Sequence, residues 1–159
     1  MKNNIIIMTA DEGTVDEARE LVERVFKEFV APDYVERGVT EFMNYITPQA
    51  MRERLAAKRS LFIAKTGGVV VGVLEMKDPE HISLLFVDAS YQRRGIAGLL
   101  FRFALENYVK AQGTQDKITV NSSLYAVEIY KRLGFIQLDD EREINGIRFV
   151  PMEKRIFDL

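Results

Sequence analysis

Apolar and polar positions alternate in two rhythms along this chain. Asn4 to Met8 reads as a first strand, and Thr14 with Glu17 three residues on has the form of a capping box that opens a helix. Val15, Ala18, Val22, Val25, Phe26 and Phe29 form one apolar stripe at helical spacing, with Asp16, Arg19, Glu20, Glu23, Arg24 and Lys27 largely on other faces. Ala31-Pro32-Asp33 ends that helix. Tyr34 to Val39 has no clear period, a short helix is expected over Thr40 to Ile46, and Thr47-Pro48 starts another that ends near Ser60.

Leu61 to Lys65 and Val69 to Met76 read as strands joined at Gly67-Gly68, a pair suited to a tight hairpin because both positions need φ > 0. Asp78-Pro79 turns the chain into a further strand, Ile82 to Val87, after which Asp88-Ala89-Ser90 breaks the pattern. Ile96, Leu99, Leu100 and Phe103 then recur at helical spacing. After Gly113 and Thr114, Lys117 to Val120 is a short strand, and Asn121-Ser122-Ser123 caps a helix with Ala126, Ile129, Tyr130 and Leu133 inside and Gly134 at its end. Phe135 to Leu138 and Ile147 to Met152 are the last strands, the second entered through the Asn145-Gly146 hairpin signal. With no internal repeat or linker, residues 1–159 are expected to form a single α/β domain with a mixed sheet.

Composition narrows the function. A formal charge of -2 excludes broad charge-driven contact with nucleic acid or a membrane surface, so any charge-based chemistry must be local. The absence of cysteine removes disulfides, thiolate metal sites and cysteine nucleophiles, and it fits a reducing cytosol. Ile5 to Met8, the only long apolar run near the start, is too short for a signal core or a span, so a cytoplasmic protein is expected.

Local chemistry is densest at Gln92-Arg93-Arg94-Gly95-Ile96-Ala97-Gly98, which straddles the first turn of a helix. Free N–H groups and the positive end of the dipole gather there, and Gly95, Ala97 and Gly98 leave no bulk to keep an anion away. The segment reads as a phosphate cradle. Neither Gly-x-Gly-x-x-Gly nor a Gly-x-x-x-x-Gly-Lys loop is present, which argues against the common nucleotide-binding folds.

Gln92-Arg93-Arg94-Gly95-Ile96-Ala97 after a strand, together with Asn121, Ala126, Tyr130, Gly134 and Phe135 in the later segment, resembles the GNAT superfamily of acyl-CoA-dependent N-acetyltransferases. The two motifs stand about 25 residues apart, with a helix and a strand between them. The resemblance implies a mostly antiparallel central sheet flanked by helices and an acetyl-CoA cosubstrate. Its pyrophosphate would lie on the amides of Arg93 to Gly98, with Arg93 and Arg94 as possible sources of added charge. The strand ending at Val87 would splay near a bulge and leave backbone groups of Phe86 and Val87 for the pantetheine arm, with Asn121 binding or orienting it. A backbone N–H at the bulge would stabilise the developing oxyanion.

In the same pattern Tyr130 protonates the departing thiolate, a role that suits a phenol of pKa about 10. The base is open between His81, Glu75, another carboxylate and a water chain; strand alternation puts His81 on one face with Ser83, Leu85 and Val87. Transfer to a primary amine by direct attack is expected, and a non-catalytic acyl-CoA sensor is the alternative. The acceptor, a small molecule or a peptide, would lie between the Phe29 to Val39 segment and the hairpin around Asp139 to Gly146. Glu28, Asp33, Glu36, Asp139, Asp140, Glu141 and Glu143 there either favour a cationic amine or are solvated loop charges, and Tyr34 could offer a ring face to an ammonium. No metal site is expected, and exposed late strands such as Ile147 to Met152 leave a homodimer open.

Overall fold

The structure, a computed structural model, describes residues 4–58, 60–113 and 115–156. The expectation that Thr114 helps reset chain direction lies outside them. Eight strands form one sheet in the order β1 (Ile6–Thr9), β2 (Leu61–Thr66), β3 (Val69–Asp78), β4 (His81–Val87), β5 (Lys117–Ser122), β8 (Ile147–Arg155) and β6 (Ile136–Gln137), with β7 (Arg142–Ile144) paired to β8. All pairings are antiparallel except β4 with β5. The expected mixed, mostly antiparallel sheet with flanking helices is therefore present.

Helices cover both faces because the central strands are apolar on both. Leu61, Phe62, Ile63 and Ala64 of β2 are all at most 1% exposed, alternating between two cores. Leu61 and Ile63 pack with α1 (Val15–Val25) and with Met51 and Leu55 of α3 (Pro48–Lys58), whereas Phe62 and Ala64 pack with α4 (Ile96–Ala104) and with Tyr130 of α5 (Val127–Arg132). A Cβ on Gly72 of β3 would come within 2.9 Å of Ile96, so the glycine lets α4 sit directly on the sheet. On the other face α2 (Glu36–Tyr45) approaches the β7–β8 turn so closely that a Cβ on Gly38 would fall 2.0 Å from the Gly146 carbonyl oxygen. Arg37 donates to Asn145 Oδ1 at 3.0 Å beside that contact.

Several local expectations shift. The capping box does not form: Thr14 Oγ1 bonds Asp11, while Glu17 accepts the Val70 N–H at 2.7 Å and closes the start of β3. α1 leaves the regular helix at Phe26, where a wide turn over Phe26–Val30 carries the Ala31 N–H to the Phe26 carbonyl. That turn buries Val30 and leaves Phe29 half-exposed. α2 starts at Glu36, four residues earlier than periodicity predicts. Asn121 and Ser122 belong to β5, and only Ser123 acts as a cap, accepting the Ala126 N–H. Ile147 to Met152 is no exposed edge, because β8 is flanked by β5 on one side and by β6 and β7 on the other, so the homodimer loses that argument.

Candidate active site

β4 and β5 are hydrogen-bonded only at His81 with Thr119 and Ile82 with Val120. Beyond these pairs one edge of β4 has no strand partner, and the strands part around a cavity. The separation begins at an irregularity in β4. Glu75 pairs with Leu84 and Met76 with Ile82, so Ser83 is an extra residue, and Lys77 is extra on β3. The expected bulge is thus present at Ser83, while Leu84 to Val87 stay in register with β3.

The bulge also breaks strand parity. Ile82, Leu85 and Val87 pack towards α4, whereas Leu84 and Phe86 pack towards α1. Ser83 Oγ donates to Glu75 Oε1 at 3.0 Å on the α1 side. The expectation that His81 shares a face with Ser83, Leu85 and Val87 therefore fails for the last two. His81 is half-buried, with Nδ1 2.7 Å from Thr119 Oγ1. That hydroxyl also lies 3.2 Å from the Glu80 carbonyl oxygen. Burial, helped by the Lys77 charge and opposed by the Asp78 carboxylate, holds the imidazole below its ordinary value.

Two spaces that share Val87, Gln92, Ala97, Tyr125 and Ile129 as lining lie beside β4. The larger, about 650 Å³, runs along the N-terminus of α4 and is lined by Gln92, Arg93, Gly95 to Gly98, Tyr125, Glu128, Ile129, Arg132 and Leu133. Gly95 has φ of 81° and Arg93 of 64°, a paired left-handed turn that opens the helix, and the first helical bond runs from Leu99 N–H to the Gly95 carbonyl. The amides before Leu99 have no acceptor within the helix, so the groove offers N–H groups, a helix dipole and the Arg93 and Arg132 charges to an anion. These residues fit a pyrophosphate. Arg94 does not line the groove; its guanidinium lies 5.1 Å from the Tyr91 ring centre. Arg132 is an addition that sequence reading missed, although a basic last turn of α5 was visible.

The smaller space, about 90 Å³, lies in the split itself, lined on one side by Val25, Val30, Tyr34, Phe42, Ser83 and Phe86. Leu85, Val87, Gln92, Ala97, Asn121, Tyr125 and Tyr130 line the other side. Phe86 thus stands apart from Val87, which borders both spaces. Gln92 also borders both: its Nε2 donates to the Val87 carbonyl at 3.1 Å and its Oε1 accepts from Tyr125 at 2.5 Å. Tyr125, unremarked in sequence, stacks on Phe29 at 4.7 Å. Tyr130 is 4% exposed, packs edge-on against Phe135, and has no hydrogen-bond partner for its hydroxyl among the described residues. Burial pushes its phenol well above the ordinary range.

Glu75 does not reach the cavity. It is 2% exposed and its carboxylate accepts from Arg54 Nε at 3.0 Å, Tyr45 at 3.3 Å and Ser83. Nor do the acidic loops. Asp139 pairs with Arg142, Glu141 with Arg148 at 2.7 Å, and Arg148 also donates to the Asp33 carbonyl. Among the described residues no Asp, Glu, Lys, Arg or His lines the smaller cavity.

The GNAT acetyltransferase domain model matches residues 30–156, most of the chain. The chain belongs to the GNAT acetyltransferase family. It is 31% identical over 129 residues to the probable N-acetyltransferase family 8 member 5 of Mus musculus, a match covering 74% of this chain and 55% of that protein, so it spans about half the relative's length. An uncharacterized N-acetyltransferase, YafP of Escherichia coli, is 25% identical with 96% of each chain covered. The paia N-acetyltransferase of Thermoplasma acidophilum, solved in complex with coenzyme A, superposes with a TM-score of 0.78 at 16% identity, covering 96% of this chain and 99% of that one. GNAT membership supports acyl transfer and acyl-CoA binding. Among the described residues no helix is long and apolar enough to cross a membrane.

Proposed function

We propose that the chain is a single-domain cytoplasmic N-acetyltransferase that passes acetyl from acetyl-CoA to a primary amine by direct attack. The observation that carries this is the wall of Val87, Gln92, Ala97, Tyr125 and Ile129 that the α4 groove shares with the β4–β5 cavity, where Tyr130 is buried with a hydroxyl that has no partner among the described residues. The amides of Ile96 to Gly98, with Arg93 and Arg132, hold the pyrophosphate, and Val87, Gln92 and Asn121 border the path of the pantetheine arm. Acetyl-CoA supplies the acyl group as a thioester. Tyr130 gives its proton to the departing sulfur, and the high proton affinity imposed by burial keeps it charged with that proton at neutral pH.

Neither His81 nor Glu75 borders the cavity, and the three donors on Glu75 make it an anchor for Ser83. The acceptor's proton therefore leaves through water. Incubation with acetyl-CoA and a panel of amines, followed by free-thiol detection, tests the reaction. Thiol release is expected with at least one amine. Tight acyl-CoA binding with release from none would favour a non-catalytic sensor.

A further inference from the structure

We infer that the acceptor is a primary amine on a compact, uncharged apolar or aromatic body, and that the site takes it as the neutral free base. This rests on the acyl-transfer reading of the same cavity. Its α1-side wall is hydrocarbon and aromatic ring: Val25, Val30, Phe42 and Phe86, with Tyr34 and Ser83 as the side-chain polar groups. The wall is fixed by packing. Phe42 stacks on Phe26 at 3.9 Å and tilts against Phe86 at 5.9 Å, and Tyr34 meets Phe26 edge-on at 5.6 Å.

Among the described residues no charged side chain lines the cavity, and those behind it are paired. Tyr34 is held protonated, its phenol pushed up to about 12 by burial and then by Asp33, and Ser83 is tied to Glu75. Behind the wall Glu75 is engaged by Arg54 of α3, Asp88 pairs with Arg24 of α1 at 2.8 Å, and His81 bonds Thr119. An ammonium entering here would lose its water and find no carboxylate, which strongly disfavours the charged form. A neutral amine loses far less and can use the Tyr34 or Ser83 oxygen as a hydrogen-bond partner. Selection of the free base also supplies the reactive nitrogen without a side-chain base. About 90 Å³ leaves room for the amine head and a few carbons, so a second ammonium or a carboxylate within that reach of the reacting nitrogen would be buried unpaired. Polyamines, amino acids and aminoglycosides are thereby disfavoured.

The test separates binding from turnover. The CoA-saturated protein is titrated calorimetrically with 2-phenylethylamine, spermidine and lysine at pH 7, 8 and 9. Phenylethylamine should bind more tightly than the other two, and its apparent affinity should improve close to tenfold per pH unit below its own pKa, as the free-base fraction does. Tighter binding of spermidine or lysine, affinity indifferent to pH, or no binding of phenylethylamine up to its solubility limit would each overturn the inference. Thiol release from acetyl-CoA in parallel samples reports on the transfer reading alone. Phenylethylamine binding without release would keep the acceptor class and remove the enzyme, and release with spermidine only would do the reverse.

Discussion

Replacing Tyr130 with phenylalanine separates a catalytic hydroxyl from a structural one. The ring is 4% exposed and packs 5.4 Å from Phe135, and phenylalanine retains both features. Because the hydroxyl has no protein partner among the described residues, its loss leaves no buried donor or acceptor unpaired, and stability should change by less than about 0.5 kcal/mol. A chain of this size shifts by about 2–4 °C in Tm per kcal/mol, so melting should move by no more than about 2 °C. Loss of a general acid, by contrast, typically costs about 10²–10⁴ in rate, equivalent to about 3–5 kcal/mol in the barrier. Steady-state thiol release should therefore show kcat reduced at least about a hundredfold, with CoA affinity by calorimetry nearly unchanged. The raised phenol also predicts no alkaline limb from Tyr130 in the wild-type rate profile up to pH about 10. A kcat within about threefold of wild type would refute the acid role, and an equal loss of CoA affinity would make Tyr130 a binding residue.

Gly95→Asp places a side chain at φ of 81° and a negative charge beside the anion cradle, so CoA affinity by calorimetry should fall more than about tenfold. Arg54→Met strands the 2%-exposed Glu75 without its cation and should cost about 2–4 kcal/mol in chemical denaturation, more than half of it restored when Glu75→Gln is added. His81 is held below its unfolded value of about 6.5, so the unfolded chain binds the extra proton first and stability falls as pH drops from about 6.5 towards the lower folded value. His81→Gln should flatten urea-denaturation stability across that window, and an unchanged slope would place the loss elsewhere.

Much of this architecture follows from local pattern. The Gly67-Gly68 and Asn145-Gly146 turns and the Gly95 helix start depend on residues close in sequence, and each is found where turn chemistry predicts it. Tyr130 and Gln92 both line the smaller cavity. What was illegible depends on pairing across distance. The extra Ser83 is defined only against β3, so strand alternation carried past it puts Leu85 and Val87 on the wrong face. Glu17 has a capping partner in sequence but a better one in the Val70 amide, 53 residues away. The acidic loops look like a cation site until Arg142 and Arg148 are seen against them. Glu75 likewise looks like a base until α2 and α3 bring Tyr45 and Arg54 to it.

The contact between Gly38 and Gly146 makes α2 and the β7–β8 hairpin a single plate, because neither backbone can advance on the other. Phe42 rides on that plate one turn along α2, so this wall of the smaller cavity takes its position from a turn more than a hundred residues later in the chain. A change in hairpin length or twist would re-aim Phe42 while leaving the α4 groove untouched. The hairpin is thus a remote handle on the shape of the smaller cavity.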